Sequence, residues 1–110
     1  MCNTPLGLPF NIASYGLLLE IIAKMVNMVP DELIGNLGDT HIYTNQIDGC
    51  KEQLERGFYE LPTIDLNKTK TDSFWKSLSE DLSLLSQLEY NDFKLDNYQS
   101  FATINFPLSN

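Results

Sequence analysis

The stretch Leu6-Gly7-Leu8-Pro9-Phe10-Asn11-Ile12-Ala13-Ser14-Tyr15 opens the longest apolar segment of the chain and decides its fold. Apolar residues then recur at three- and four-residue intervals as far as Val26, and Pro30 follows. This spacing predicts a helix over residues 12–26, with Asn11 as its N-cap and Pro30 as its stop. Because apolar side chains occupy most of the circumference, we expect this helix to be buried on several sides.

The same segment argues against a membrane protein. It carries Glu20 and Lys24, and it is shorter than the roughly 20 apolar residues that a bilayer requires. Residues 1–9 lack the basic region and apolar core of a signal peptide. We therefore predict no membrane partner. Two cysteines, Cys2 and Cys50, are too few for a disulfide framework and favour a reduced, cytoplasmic chain.

Composition limits the classes of function. The 110 residues predict one domain, 1–110, and 43% hydrophobic residues are ordinary for a globular protein. Seven Lys and Arg against fifteen Asp and Glu give a net charge of −8, which argues against a nucleic-acid partner. One His and two Cys without a Cys-x-x-Cys pair predict no metal site.

The remaining patterns predict a mixture of helices and strands without regular alternation, which is an α+β fold. We expect a helix over 45–56, strands over 33–43, 62–66, 93–97 and 103–106, and either a surface excursion or a short helix from Ser73. In the strand over 33–43, His41 and Tyr43 are two residues apart and should share one face of the strand.

Four positions suggest ligand chemistry, and each has a plainer structural interpretation. The Asn11 amide has a donor and an acceptor that match the edge of uracil, or it is only a helix cap. His41 and Tyr43 could hold a sugar hydroxyl, or they are half-buried strand residues. Gly7 could let a ligand approach the backbone, or it only serves a turn. Cys2 and Cys50 lack a basic partner nearby, so we predict no catalytic nucleophile.

Two long motifs about thirty residues apart carry a family resemblance. The run over 6–15 and the run Gly38-Asp39-Thr40-His41-Ile42-Tyr43-Thr44-Asn45 resemble the ligand-binding segments of thymidylate synthases. The segments 51–56, 97–99 and 103–104 resemble that family in the same order and spacing. The similarity spans nearly all of the chain and is specific, because both motifs are long and uncommon. It corresponds to the C-terminal part of the family enzyme.

The resemblance implies a partial thymidylate synthase-like α+β fold, with a long buried helix packed on a mixed, twisted sheet. The family transfers a one-carbon unit from 5,10-methylenetetrahydrofolate to C5 of dUMP and reduces it to a methyl group, which yields dTMP. It works as a homodimer. The implied ligands are therefore a dUMP-like nucleotide and the folate, and the implied assembly is a homo-oligomer.

The resemblance also assigns individual residues. Asn11 matches the asparagine that pairs with the pyrimidine, and His41 and Tyr43 match the pair that binds the deoxyribose hydroxyl. On the folate side, Leu6 and Gly7 match positions near the cofactor.

Two further folate-side matches depart from the family pattern. Asn3 stands where the family has an aspartate that supports the folate, and it carries no charge. Ser109 falls in the C-terminal segment that closes over the cofactor, but the ending differs from the usual one.

The resemblance further implies that the N-terminal half of the family fold is missing. The catalytic cysteine belongs to a Pro-Cys-His segment upstream of residue 1. An Arg-Ser pair that grips the phosphate would fall just before or at Met1. We therefore expect no catalytic residue in this chain, no activity from the chain alone, and a separate N-terminal half as a candidate partner.

Two alternatives stay open. One is a fragment of a deoxycytidylate hydroxymethylase-like enzyme, which Asn11 disfavours because that activity prefers Asp there. The other is a non-catalytic interaction subunit or remnant.

Overall fold

Helix α1 begins one turn earlier than the apolar spacing predicts. In the computed structural model, which describes residues 2–109, α1 spans Leu8–Met25 with Gly7 as its N-cap. Pro9 lies in the first turn, where its fixed φ and missing N–H suit a helix start. The Asn11 N–H donates to the Gly7 carbonyl oxygen at 3.1 Å, so Asn11 is inside the helix and its prediction as N-cap is wrong. Met1 lies outside the described residues.

Most of α1 is open to solvent. Ala23 is its only buried residue, while Phe10 and Tyr15 are 75% and 62% exposed. The expectation of a helix buried on several sides is therefore not met within residues 2–109. The reason is geometric: Ile21 and Met25, near the C-terminal end of α1, pack against the core, and the earlier turns project beyond it.

The remaining elements are short. They are β1 (Cys2–Asn3), β2 (Thr40–His41), a 3₁₀ turn at Thr44–Gln46, α2 (Ile47–Leu54), β3 (Thr63–Asp65), α3 (Asp72–Glu80), 3₁₀ turns at Leu82–Gln87 and Tyr90–Asp92, and β4 (Lys94–Asp96). β1 pairs with β2 in parallel, and β3 pairs with β4 in antiparallel register. The described residues thus form two separate two-stranded sheets.

Two of the predicted strands differ from the structure. The strand over 33–43 is reduced to Thr40–His41, because Gly35 and Gly38 weaken the extended run and its first part has no pairing partner among the described residues. Residues 103–106 form no strand. The adjoining Pro107 cannot donate a ladder hydrogen bond, and side-chain contacts hold this segment instead.

The buried core lies between α3 and β3. It consists of Leu66, Trp75 and Leu78, and the Trp75 indole N–H donates to the Leu66 carbonyl oxygen at 3.0 Å. The Thr71 hydroxyl caps α3 by accepting from the Phe74 N–H at 3.3 Å. This arrangement satisfies the one polar group of the tryptophan and buries the apolar face of α3.

An ion pair joins α1 to α3. Lys24 Nζ lies 2.8 Å from a carboxylate oxygen of Asp72, the first residue of α3. The Lys24 hydrogen bond, a second one from the Asn67 amide and the Lys24 charge lower the pKa of Asp72 below its ordinary value.

The chain exposes far more surface than a compact monomer of its size. Its accessible surface is 8712 Å², against about 6,200 Å² expected for a compact 12.5 kDa protein. Its radius of gyration is 17.3 Å, against about 13 Å expected for this length. Many large apolar side chains contribute to the excess, including those along α1.

By length and composition alone, α1 could also cross a membrane, since its 18 residues have a mean hydropathy of 1.2. The core helix of a larger protein passes the same test, so this property does not distinguish the two.

We expect Leu78→Ala to lower the free energy of unfolding by about 2–5 kcal/mol, because it opens a cavity beside Trp75. Leu82→Ala is the matched control: Leu82 is 61% exposed, and its truncation should change stability by less than about 0.5 kcal/mol. Urea denaturation followed by Trp75 fluorescence measures both. Equal losses for the two variants would contradict the assignment of the core.

The Lys24–Asp72 pair predicts an acid-sensitive contribution to stability. Because the folded pKa of Asp72 is lowered, its contribution is present above the unfolded pKa and is lost as pH falls through the folded pKa. Urea midpoints measured between about pH 2 and pH 6 should therefore fall more steeply for the unaltered chain than for Asp72→Asn. Asp31→Asn, at an exposed position, is the charge-matched control. Parallel curves for all three proteins would refute the role of the pair.

Candidate functional site

The pairing of β1 with β2 brings the residues just before the first sequence motif beside the second motif. Asn3 lies opposite His41 in the parallel register. The Thr4 N–H donates to the His41 carbonyl oxygen at 2.9 Å, and the Cys2 N–H donates to the Asp39 carbonyl oxygen at 2.8 Å. Residues some forty positions apart in sequence thereby form one surface.

A tight turn connects β1 to α1 and holds three of the predicted site residues. The Asn3 side-chain oxygen accepts from the Leu6 N–H at 3.2 Å, and the Asn3 carbonyl oxygen accepts from the Gly7 N–H at 2.8 Å. A Cβ at position 7 would lie only 3.2 Å from that carbonyl oxygen. The close approach that Gly7 permits in this structure is therefore to the chain's own backbone.

His41 and Tyr43 form an aromatic pair. Their ring centroids are 4.9 Å apart and the rings meet edge to face at 75°. The expectation that these two side chains come together is met.

The hydrogen bonds of His41 define its neutral tautomer. Nδ1 lies 3.1 Å from the Asp39 carbonyl oxygen, which can only accept, so Nδ1 carries the proton and donates. In the neutral ring, Nε2 then has a free lone pair. This atom is buried and has no hydrogen-bond partner among residues 2–109. Because almost none of its surface is accessible to solvent, an O–H donor from a ligand can reach it only if the neighbouring side chains move.

Asn11 is the least connected of the predicted site residues. It lies in the first turns of α1 with its side chain exposed. Within the described part of the chain, its amide makes no hydrogen bond to His41 or Tyr43. Both its donor and its acceptor are therefore free to meet a ligand.

Gln46 is a central residue that sequence reasoning missed. It is fully buried, and its side-chain oxygen lies 3.3 Å from both the Asn3 side-chain nitrogen and the Tyr43 backbone nitrogen. Its side-chain nitrogen donates to the Pro107 carbonyl oxygen at 2.9 Å. The sequence carries no signal for this role, because Asn3 and Pro107 are distant from Gln46 in sequence and Tyr43 contributes only a backbone N–H.

The C-terminal segment packs on the same part of the fold. The Ser109 hydroxyl donates to the Asn45 side-chain oxygen at 2.8 Å. The Phe106 ring contacts Gly49 on α2 so closely that a Cβ there would lie 2.6 Å from a ring carbon. Ser109, predicted from the C-terminal motif, thus lies beside the segment that carries His41 and Tyr43.

The basic residues are largely engaged elsewhere. Arg56 donates to the Ala102 carbonyl oxygen at 2.7 Å and to Glu52 at 3.1 Å. Lys24, Lys68 and Lys70 pair with Asp72, Asp96 and Asp92. Arg56 therefore points toward protein acceptors instead of forming a phosphate clamp. Among residues 2–109, no three His, Cys, Asp or Glu side chains converge as metal ligands.

Comparison with known proteins extends the resemblance to the whole chain. The family model for thymidylate synthase matches residues 1–110. Thymidylate synthase of Enterobacteria phage T4 is 43% identical over 99 residues, which are 90% of this chain and 35% of the phage protein. The Saccharomyces cerevisiae thymidylate synthase is 35% identical over 108 residues, or 98% of this chain and 32% of the yeast protein.

A solved structure agrees in fold. The thermostable thymidylate synthase A from Bacillus subtilis superposes with a TM-score of 0.77 at 31% identity, covering 97% of this chain and 34% of that protein. This confirms the predicted α+β fold and its likeness to part of a thymidylate synthase. The chain spans about a third of the length of the curated relatives it matches. Because the family model matches the full length of the chain, the chain belongs to the thymidylate synthase family.

Proposed function

We propose that this chain supplies the deoxynucleotide-binding part of a thymidylate synthase and does not itself supply the catalytic nucleophile. Its ligand is a dUMP-like nucleotide, and the reaction it serves is the methylation of dUMP to dTMP with 5,10-methylenetetrahydrofolate. Residues 1–110 act in this proposal as a single domain equivalent to the C-terminal part of the family fold.

The observation that carries the proposal is the state of His41. Its Nδ1 proton is held by the Asp39 carbonyl oxygen, and its Nε2 is buried without a partner among the described residues. A buried acceptor without a partner costs free energy, which a ligand hydroxyl would recover. With Tyr43 in edge-to-face contact, the pair fits a deoxyribose hydroxyl that can both donate and accept.

Asn11 provides the base preference. Its amide offers a donor to O4 of uracil and an acceptor to N3–H, which is the complement of the uracil edge. The cytosine edge has the opposite polarity, and a carboxylate at this position would suit it better. This favours dUMP over dCMP and disfavours the hydroxymethylase alternative.

The turn over residues 3–7 and the C-terminal segment form the proposed folate side. Asn3, Leu6 and Gly7 share one set of backbone and side-chain hydrogen bonds. Ser109 is anchored to Asn45, two residues beyond Tyr43. This juxtaposition supports a cofactor that lies next to the nucleotide. No residue here is proposed to bind a metal.

The proposed enzyme needs further protein. The surface in excess of a compact monomer is about 2,500 Å², roughly three times one partner's share of a standard protein interface. The exposed apolar face of α1 is its largest helical contribution. We propose that this surface is covered in a homodimer and by an N-terminal half that carries the nucleophile, in a cytoplasmic enzyme. The same surface is what favours the alternative of a non-catalytic interaction subunit.

We expect dUMP to shift the amide NMR resonances of Asn11, His41 and Tyr43 more strongly than dCMP does at equal concentration. Asn11→Asp should reverse the preference, because a carboxylate accepts from the cytosine amino group. Asn36→Asp, at an exposed position, controls for the added charge. No resonance change at millimolar dUMP would contradict the nucleotide proposal.

Removal of the polar ends of the aromatic pair should weaken dUMP binding. Tyr43→Phe and His41→Phe each lose one hydrogen bond, and we expect the Kd to rise about three- to tenfold. Tyr90→Phe is the matched control, since Tyr90 is 89% exposed. Unchanged affinity in both site variants would exclude the pair as the sugar contact.

We expect no tritium release from C5-labelled dUMP with the chain alone and methylenetetrahydrofolate, because no thiolate is positioned to attack C6. Release should begin when a separate N-terminal half from a relative is added, and the double variant Cys2→Ser, Cys50→Ser should not reduce it. Turnover by the chain alone that these serine substitutions abolish would refute the proposal. Binding of the half without turnover would favour the interaction subunit.

A further inference from the structure

Gln46 connects three parts of the molecule that are distant in sequence. Its buried amide contacts Asn3 on β1, the backbone of Tyr43, and Pro107 near the C-terminus. A fully buried amide is retained only where its polar atoms are satisfied. The three contacts are therefore one arrangement that forms or is lost together.

The orientation of the Gln46 amide follows from its partners. The Tyr43 N–H can only donate, so it requires the side-chain oxygen, and the Pro107 carbonyl oxygen can only accept, so it requires the side-chain nitrogen. Exchange of the oxygen and nitrogen would place donor against donor and acceptor against acceptor. The amide oxygen therefore contacts Tyr43, and the amide nitrogen contacts the C-terminal segment.

Asn3 is matched to this orientation. Its side-chain oxygen accepts from the Leu6 N–H, which leaves its side-chain nitrogen to donate to Gln46. An aspartate at position 3 has no donor and would oppose the Gln46 oxygen with a second acceptor. The uncharged Asn3, which departs from the family pattern, is therefore the residue that Gln46 requires.

The C-terminal segment 106–109 is held at three points along one side. Phe106 lies on Gly49, the Pro107 carbonyl oxygen accepts from Gln46, and the Ser109 hydroxyl donates to Asn45. No backbone hydrogen bond ties residues 106–109 to a strand within the described part of the chain. The position of this segment therefore depends on side-chain contacts, and one of them comes from the fully buried Gln46.

We propose that Gln46 is a positioning residue that couples the C-terminal segment 106–109 to the His41–Tyr43 pair. The oxygen of its amide accepts hydrogen bonds from Asn3 and the Tyr43 backbone, and the nitrogen donates one to Pro107. Loss of the hydrogen bond on one side of the amide therefore shifts the residues bound on the other side. The proposal rests on the proposed function only in treating the His41–Tyr43 pair as the ligand surface.

Three substitutions distinguish the role of the amide oxygen from the role of the amide nitrogen. Gln46→Glu keeps the acceptor and replaces the donor, so at pH values well above the carboxyl pKa it should free the segment and spare Tyr43. Gln46→Met keeps the length of the side chain and removes both the hydrogen-bond donor and the acceptor. Asn3→Asp leaves Gln46 unchanged, but the new carboxylate attracts the Gln46 side-chain nitrogen away from the Pro107 carbonyl oxygen. Gln53→Glu, on the exposed face of α2, is the matched control for Gln46→Glu.

NMR of the ligand-free chain measures the outcome. In the unaltered chain we expect an NOE between the Phe106 ring and the Gly49 Hα, and order parameters of about 0.8 for Leu108 and Ser109. In all three variants the NOE should disappear and the order parameters should fall below about 0.6. The Tyr43 amide should shift in Gln46→Met and stay in place in Gln46→Glu. The effect of Asn3→Asp on a remote segment is the sign of coupling, which a merely local role would not produce.

The proposal fails if the Phe106–Gly49 NOE and the order parameters persist in Gln46→Glu and Asn3→Asp while the Trp75 indole resonance is native. Should these variants unfold, Gly49→Ala displaces Phe106 without touching a polar contact of Gln46. The Gln46 side-chain amide and the Tyr43 amide should then shift, and unchanged resonances would overturn the coupling. Because no ligand is present, a failure of dUMP to bind would refute the proposed function and leave this test intact.

Discussion

The parallel pairing of Asn3 with His41 is the constraint on which the candidate site depends. Two residues on each strand make a very short ladder, and such a ladder is marginal without support. The support comes from polar side chains: Asn3 closes the turn into α1, and Gln46 ties that turn to Tyr43 and to the C-terminal segment. The residues proposed to face the ligand are thus positioned by a polar network and by little apolar packing.

The apolar packing lies elsewhere in the chain. Leu66, Trp75 and Leu78 form the core beside α3, and α1 reaches it through Ile21 and Met25 near its C-terminal end. The N-terminal half of α1, which follows the turn over residues 3–7, is exposed. If this surface is covered by other protein, as proposed, the geometry of the proposed site is expected to depend on assembly. This links the large exposed surface to the proposal that the chain alone does no chemistry.

The sequence predicted what depends on local patterns. The apolar spacing of α1, the shared face of His41 and Tyr43, and the strands around Ile64 and Leu95 follow from residues close together in the chain. The start of α1 was missed because the prediction followed the apolar spacing and Asn11, whereas Pro9 occupies a first-turn position. The role of Gln46 could not be predicted, since a buried amide is defined by partners that only the fold brings near.

The central claim is that the chain holds a buried acceptor without a partner among the described residues, which a nucleotide hydroxyl would satisfy, and the His41 ring reports on it directly. The chain has one histidine, so its ring nitrogens can be observed without ambiguity in a long-range ¹H–¹⁵N correlation spectrum. The account predicts that the neutral form of the ring carries its proton on Nδ1 in the free chain, and that the Nε2 resonance moves as dUMP is added and its hydroxyl donates. A ring protonated on Nε2, or an Nε2 resonance that ignores saturating dUMP, would contradict it.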